Sequence, residues 1–177
     1  MQSKASAYSH HLIRLSSSNL MIASDTPSYQ KLCARARNLA LRGKLDILIV
    51  DYLQLLGFEG KGSRNDDIGE ATRALKSLSL ELDIPVIILS QLSRAHESRT
   101  NPRPRNSDLK ESGSIEQDAD VILFLYDEGY YGDDRQSSGM TELYSGKNRH
   151  GETFSTSISS ANLSYYRFEK FTGGQYK

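Results

Sequence analysis

Three short apolar runs constrain this chain more than any other feature. Residues 47–50 (ILIV) stop at Asp51, residues 85–89 (PVIIL) lead into Ser90 and Gln91, and residues 121–125 (VILFL) follow a small-residue bend at Ser112, Gly113 and Ser114. Apolar and β-branched residues stand at both odd and even positions of the first run. A strand written that way expects cover on both faces, as in the middle of a parallel sheet. Helix-period and strand-period segments alternate along the chain, which predicts an α/β domain with a largely parallel sheet.

The connecting segments carry helix signals. Asp25, Thr26 and Pro27 read as a helix start, with Thr26 as cap and Pro27 at the first helical position; Leu32, Ala36, Leu39 and Ala40 form the apolar face, and Gly43 the stop. Asp66, Asp67 and Glu70 suit the positive end of a second helix, whose stripe is Ile68, Ala71, Leu75, Leu78 and Leu82. Residues 20–24 read as a short strand, and residues 129–139 (GYYGDDRQSSG) as a surface loop. Residues 141–147 and 153–159 read as a hairpin with its charged turn at 148–151. Residues 1–18 are polar, with His10 and His11, and read as a tail or remnant without a function of its own.

Charge places any polyanion site locally. Lys plus Arg and Asp plus Glu are equal at 22 each, so no global field draws the 177-residue chain to a polyanion or a membrane. Residues 93–110, however, carry Arg94, Arg99, Arg103, Arg105 and Lys110 against Glu97 and Asp108, a local surplus of three positive charges. Such a run is either a solvated face or a phosphate-tracking loop. Its lack of aromatics argues against base stacking as the main mode. The single cysteine, Cys33, excludes an internal disulfide and is expected in or near the core. With no signal-like start and no apolar run near membrane-span length, the expected location is the cytoplasm, without a membrane partner.

Chemistry gathers where the strands end. Ligands of open α/β sheets collect beyond the carboxyl ends of strands, and an acid there is costly unless paired or metal-bound. Asp51 is therefore either a turn cap or a Walker B acid, which holds Mg²⁺ through its water shell at the β- and γ-phosphates of a nucleotide. Gln91 either satisfies a backbone group or touches a ligand. The N–H groups of the Gly113 bend can receive a phosphate. Lys147 and Arg149, spaced by two, project the same way if Asn148 is extended.

Read together, DILIVDYLQLL (46–56), the SQLSR segment at 90–94, NSDLKESGSIEQDADVILFLY (106–126) and GKNRHGE (146–152) closely resemble the C-terminal motor domain of DnaB-type replicative helicases, from about residue 19 to 171. The resemblance implies a RecA-like three-layer sandwich with a mostly parallel central sheet, incomplete at the N-terminus and carrying a C-terminal β-hairpin, within residues 19–177. It implies ATP and Mg²⁺ as cofactors, with Asp51 on the metal and Gln91 as the γ-phosphate sensor. Lys147 and Arg149 become a lysine and an arginine finger offered to a neighbour's ATP. Lys61 and Arg64 fall in a loop that faces a ring's channel, where a solvated loop is the other reading. Arg94, Arg103, Arg105, Lys110, Glu111 and Gly113 become contacts to the backbone of single-stranded DNA. Gln117, Asp118 and Asp120 are expected to hold the fold.

The implied protein is a hexameric helicase that couples ATP hydrolysis to 5′-to-3′ translocation, with a helicase loader and primase as partners. The alternatives are a RecA/RadA-like recombination ATPase and an inert remnant that binds DNA or rings. This chain departs from the family pattern in three places. Lys110 stands where relatives often have arginine, Phe154 where many have glycine, and no G-x-x-x-x-G-K-[ST] occurs in the chain. The P-loop and a catalytic glutamate are expected upstream, making this chain the C-terminal two thirds of a motor. Alone it is expected to bind nucleotide poorly, to hydrolyse almost none and to leave part of its sheet uncovered.

Overall fold

The computed structural model describes residues 13, 16–25, 27–57, 63–109, 112–131, 140–162 and 167–170. Its elements run α1 (Tyr29–Leu41), β1 (Leu48–Val50), α2 (Arg64–Leu82), β2 (Val86–Ile88), α3 (Ser112–Asp118), β3 (Val121–Tyr126), β4 (Met140–Asn148), β5 (Ser155–Asn162) and β6 (Arg167–Lys170). β1 and β2 pair in parallel, Leu48 opposite Val86 and Val50 opposite Ile88. β3 to β6 form an antiparallel sheet in chain order. The expected hairpin is β4–β5, with Thr141 opposite Ile158 and Tyr144 opposite Ser155.

Local chemistry accounts for α2 in detail. Ser63 caps it by accepting the Asp66 N–H, and the Asp66 carboxylate accepts the Ser63 N–H in return. Asp66 and Asp67 sit in the first turn, where the helix dipole favours anions. Asp83, in the left-handed region at φ 53°, ends the helix by donating to the Ser79 carbonyl. Ile68, Ala71, Leu75 and Leu78 are fully buried along one stripe, as their spacing predicts.

Two expectations near the start are corrected. α1 begins at Tyr29 after an extended Ser28, so Pro27 lies outside the helix; its carbonyl instead accepts the Gly57 N–H at 3.2 Å, beside a Ser28–Gly57 bridge. Thr26 lies outside the described residues. Residues 20–24 form no strand, and Leu20, Met21 and Ile22 are exposed. A strand needs a ladder partner, and among the described residues no strand pairs with this segment. Gly43 stops α1 as expected: at φ 62° its N–H reaches the Ala40 carbonyl.

The main core joins Cys33 and Ala36 of α1, Val50, Leu53 and Leu56 around β1, and the α2 stripe. A second core contains Leu109, Ile122, Phe124 and Tyr144. Ile115 of α3 packs against both. Each fully buried leucine here contributes about 1.5–3 kcal/mol, whereas the half-exposed Arg37–Glu81 pair between α1 and α2 is screened by solvent and adds little. Apolar burial therefore holds these layers together.

The expectation that both faces of β1 are covered is also corrected. Leu48, Val50, Val86 and Ile88 pack on the core beneath α1 and α2, but Ile47, Ile49, Ile87 and Leu89 on the other face are 43–56% exposed. β3 behaves likewise, burying Ile122 and Phe124 and exposing Val121, Leu123 and Leu125. The sequence is written for a sheet covered twice, and the described residues cover it once. Among them no helix is long and apolar enough to cross a membrane.

Leu75→Ala is expected to lower unfolding free energy by about 2–5 kcal/mol, because it empties a site with no exposure. Leu80→Ala, at a residue 70% exposed, should change it by less than about 0.5 kcal/mol. Urea denaturation of the two variants checks the assignment, and equal losses would contradict it.

Candidate functional site

The ends of β1 and β2 are stitched together beyond the last paired residues. The Leu89 N–H donates to the Val50 carbonyl at 2.9 Å, and the Leu53 N–H donates to the Leu89 carbonyl at 2.9 Å. Asp51 therefore leaves its strand beside the exit of Ser90 and Gln91. Gln54, in a 3₁₀ turn over Leu53–Leu55, bridges the two exits. Its Nε2 donates to Ser90 Oγ at 3.0 Å and its Oε1 accepts the Gln91 N–H at 3.2 Å. Sequence reading did not single out Gln54. Its signals are its place in the DYLQLL run and three residues after Asp51, which acquire meaning once the parallel register is known.

Asp51 and Gln91 are both exposed at this end, and the Asp51–Tyr52 peptide is cis. Asp51 has no ion pair among the described residues, and no group of three or more His, Cys, Asp or Glu there could hold a metal ion. One unpaired carboxylate is the donor set expected for Mg²⁺ that keeps most of its waters and takes its remaining ligands from phosphate. Asp51 thus fits the ion as a single ligand.

Gly113 is positioned through the contact of α3 with α2. Arg64, expected in the loop before α2, is instead the first residue of that helix, and its Nη2 donates to the Gln54 carbonyl beside the β1 exit. Gly69, in the second turn, faces Ser114 so closely that an added Cβ would lie 2.8 Å from Ser114 Oγ. That contact seats the start of α3 near the Asp51 end of α2. Gly113 itself is exposed, with open space where a Cβ would point. Lys61, Lys110 and Glu111 lie outside the described residues.

The basic tract separates into anchors and exposed cations. Arg99 makes a bidentate pair with buried Asp108, at 3.0 and 2.6 Å, and Asp108 also accepts the Arg105 N–H at 2.8 Å. Arg103 makes a second fork onto Glu142, at 2.8 and 2.7 Å, with its guanidinium 3.6 Å from the centre of the Tyr144 ring. The Tyr144 hydroxyl donates to the Pro104 carbonyl, and burial pushes its pKa up to about 12. Arg103 is therefore committed to holding the tract on β4. Arg94 and Arg105 are exposed and remain available to a ligand.

Lys147 and Arg149 come together with each other, but not with Asp51 or Gln91. Lys147 stands opposite Ile122 at the start of β3. Its Nζ donates to the carbonyls of Glu116 at 2.5 Å and Gln117 at 3.3 Å, while Arg149 Nη2 donates to Gln117 O at 2.8 Å. Both thus lie at the last turn of α3, with Gly113 at the first. Nearby, Thr72 donates to Asp118 at 2.6 Å, and Lys76 pairs with Asp120 at 2.5 Å, so this end of α3 is tied to the middle of α2. Asn106 secures the hairpin base, donating to Gly146 O at 3.1 Å and Glu116 Oε1 at 2.9 Å. Gly146 has no room for a Cβ against Asn106 and Phe124.

The hydrogen bonds from Arg103 hold the Glu142 carboxyl below its ordinary range. A lowered carboxylate contributes stability that is present above its unfolded pKa, about 4.3, and lost as pH falls through the folded value. The urea midpoint should therefore fall as pH drops from about 5 toward 3. Arg103→Met should flatten part of that slope, and an unchanged slope would show that the pair is not coupled to folding.

Comparison with known proteins gives a consistent set of matches. The family model described as DnaB-like helicase C terminal domain matches residues 1–170. A probable plasmid replicative DNA helicase of Chlamydia psittaci is 47% identical over 140 residues, covering 78% of this chain and 29% of that protein. The replicative DNA helicase DnaB of Geobacillus stearothermophilus is 44% identical over 131 residues, covering 72% and 29%. The chain thus spans less than a third of the length of either. Among solved structures, one ATPase domain aligns at TM-score 0.84 and 37% identity, covering 92% of this chain and 58% of that one. A DnaB-like replicative helicase, solved in work on its interactions with primase, aligns at 0.78 and 39% identity over 85% of this chain and 38% of that one.

Proposed function

The chain belongs to the DnaB-like helicase C-terminal domain family, with a RecA-like ATPase fold, and from that premise we propose that the intact protein is a replicative DNA helicase driven by ATP. The observation that carries this reading is the pair of strand exits at Asp51 and Gln91, locked side by side by Gln54. A nucleotide lying across those exits meets the metal ligand and the sensor at once. The phosphate cradle is not among these 177 residues, so the chain by itself is expected to hydrolyse almost no ATP.

Asp51 would hold Mg²⁺ through one carboxylate; when bound, the ion neutralises charge on the β- and γ-phosphates. Gln91 has its backbone N–H fixed by Gln54, which leaves its side-chain amide to contact the γ-phosphate. A change at Gln91 passes directly into Leu92, which bridges Leu109 at the base of the basic tract. Arg94, Arg105, Lys110, Glu111 and Gly113, with Lys61 and Arg64, form the proposed grip on single-stranded DNA. Arg103 supports that grip from behind rather than touching the strand. Contacts of this kind bind phosphates and carry no base code.

Lys147 and Arg149 are the proposed fingers for a neighbouring subunit's ATP in a hexameric ring. Their separation from Asp51 and Gln91 along α3 supports action in trans, since a finger serving its own subunit would lie beside its own metal ligand. The interactions of the solved DnaB-like relative with primase support primase as a partner, and a loader is proposed with it.

Unwinding of forked DNA by the intact protein, dependent on ATP and Mg²⁺, is the direct test. Arg149→Ala should lower turnover by about 10³-fold or more while ATP affinity stays within about two-fold. Turnover near wild type would remove the finger assignment. Lys110→Ala should weaken binding to single strands of any sequence and reduce the slope of log K against log salt by about 1. An unchanged slope would remove Lys110 from the phosphate contacts.

A further inference from the structure

Arg149 is held by more than the end of a helix. Two residues beyond α3, Asp120 accepts the Arg149 backbone N–H on its carbonyl at 2.8 Å and Arg149 Nη1 on its Oδ1 at 3.3 Å. Its other carboxylate oxygen takes Lys76 Nζ from α2 at 2.5 Å. One aspartate therefore uses its carbonyl and both carboxylate oxygens to connect the finger hairpin to α2, the helix that begins beside the Asp51 strand exit. Resting on the finger reading above, we propose that Asp120 is the positioning residue for Arg149, with Lys76 as its anchor.

Three observations carry this. First, the Arg149 and Asp120 side chains are 43% and 36% exposed, where an ion pair contributes little to stability. Second, the geometry restrains a side chain that is otherwise free to wander. Arginine carries a large rotamer entropy, and a guanidinium held in advance loses less of it on meeting a phosphate. Third, the hold is incomplete. The contacts to Asp120 Oδ1 and Gln117 O use two of the roughly five donors of a guanidinium, leaving others for an anion outside the subunit. Lys147 is docked on the same turn of α3, so both cations share one platform.

DNA-stimulated ATP turnover of the intact protein tests this, with ring assembly and melting temperature followed in parallel. Asp120→Asn keeps the shape and removes the charge. It should lower kcat by about 10²-fold, the cost of a finger misplaced by about 1 Å, with KM for ATP within about two-fold. Asp120→Glu should restore part of the loss, and Asp120→Asn combined with Arg149→Ala should be no slower than Arg149→Ala alone. A kcat within about two-fold of wild type for Asp120→Asn, or a double variant slower than Arg149→Ala alone, would overturn the proposal while leaving the finger reading intact. Full turnover in Arg149→Ala would instead remove the finger reading and the proposal with it. If Asp120→Asn fails to assemble, Lys76→Met decides the matter, since it leaves Asp120 and Arg149 in place: a several-fold loss of kcat at constant KM supports the anchor, and unchanged kcat overturns it.

Discussion

The parallel register of β1 on β2 is the constraint on which the rest depends. Pairing Val50 with Ile88 delivers Asp51 and Gln91 to the same edge, and a slip of one residue would turn every side chain of the slipped strand to the opposite face. Backbone hydrogen bonds each contribute only about 0.5–1.5 kcal/mol net, so the few in this short pair do not secure it alone. Leu48, Val50, Val86 and Ile88 secure it by packing on α1 and α2, and Gln54 then closes the gap where the ladder ends. Core packing thus sets the position of chemistry that is itself exposed.

From that edge the structure extends through two helices. α2 runs back along the sheet, and α3 lies against it, seated by Ser114 on Gly69 at one end and by Asp118 and Asp120 on Thr72 and Lys76 at the other. Ile115 belongs to both cores, so α3 cannot shift without disturbing the packing on each side. One short helix therefore has the proposed DNA bend at its first turn and the proposed finger pair at its last. Such a part conveys displacement because it is packed, not because it is long.

Much of this was legible in the sequence. The runs at 47–50, 85–89 and 121–125, the α2 stripe and the β4–β5 hairpin declare themselves through period and caps, which are local. Residues 20–24 have strand composition and no strand, because β structure is completed by a partner that composition does not name. Apolar residues at both parities imply covered faces for β1, yet Ile47 and Ile49 are open, since cover is a property of what packs there. Arg103 looked like its neighbours Arg94 and Arg105 in a basic tract. Only the fold reveals that Glu142 and Tyr144, some forty residues away, hold it. Gln54 escapes for the same reason, and Asp120, expected only to hold the fold, bridges the hairpin to α2: each acts between elements whose adjacency is tertiary.

The proposed site takes Asp51 and Gln91 from one subunit and Arg149 from the next. Mixing two inactive forms of the intact protein, Asp51→Asn and Arg149→Ala, tests it most directly. In mixed rings some interfaces pair an unaltered Asp51 with an unaltered Arg149 from the neighbour, roughly a quarter of them at equal mixing in a head-to-tail ring. Recovery of ATP turnover toward that fraction is the predicted result. If mixed rings form and stay as inactive as either parent, Arg149 does not serve a neighbour's site, and the account fails at its centre.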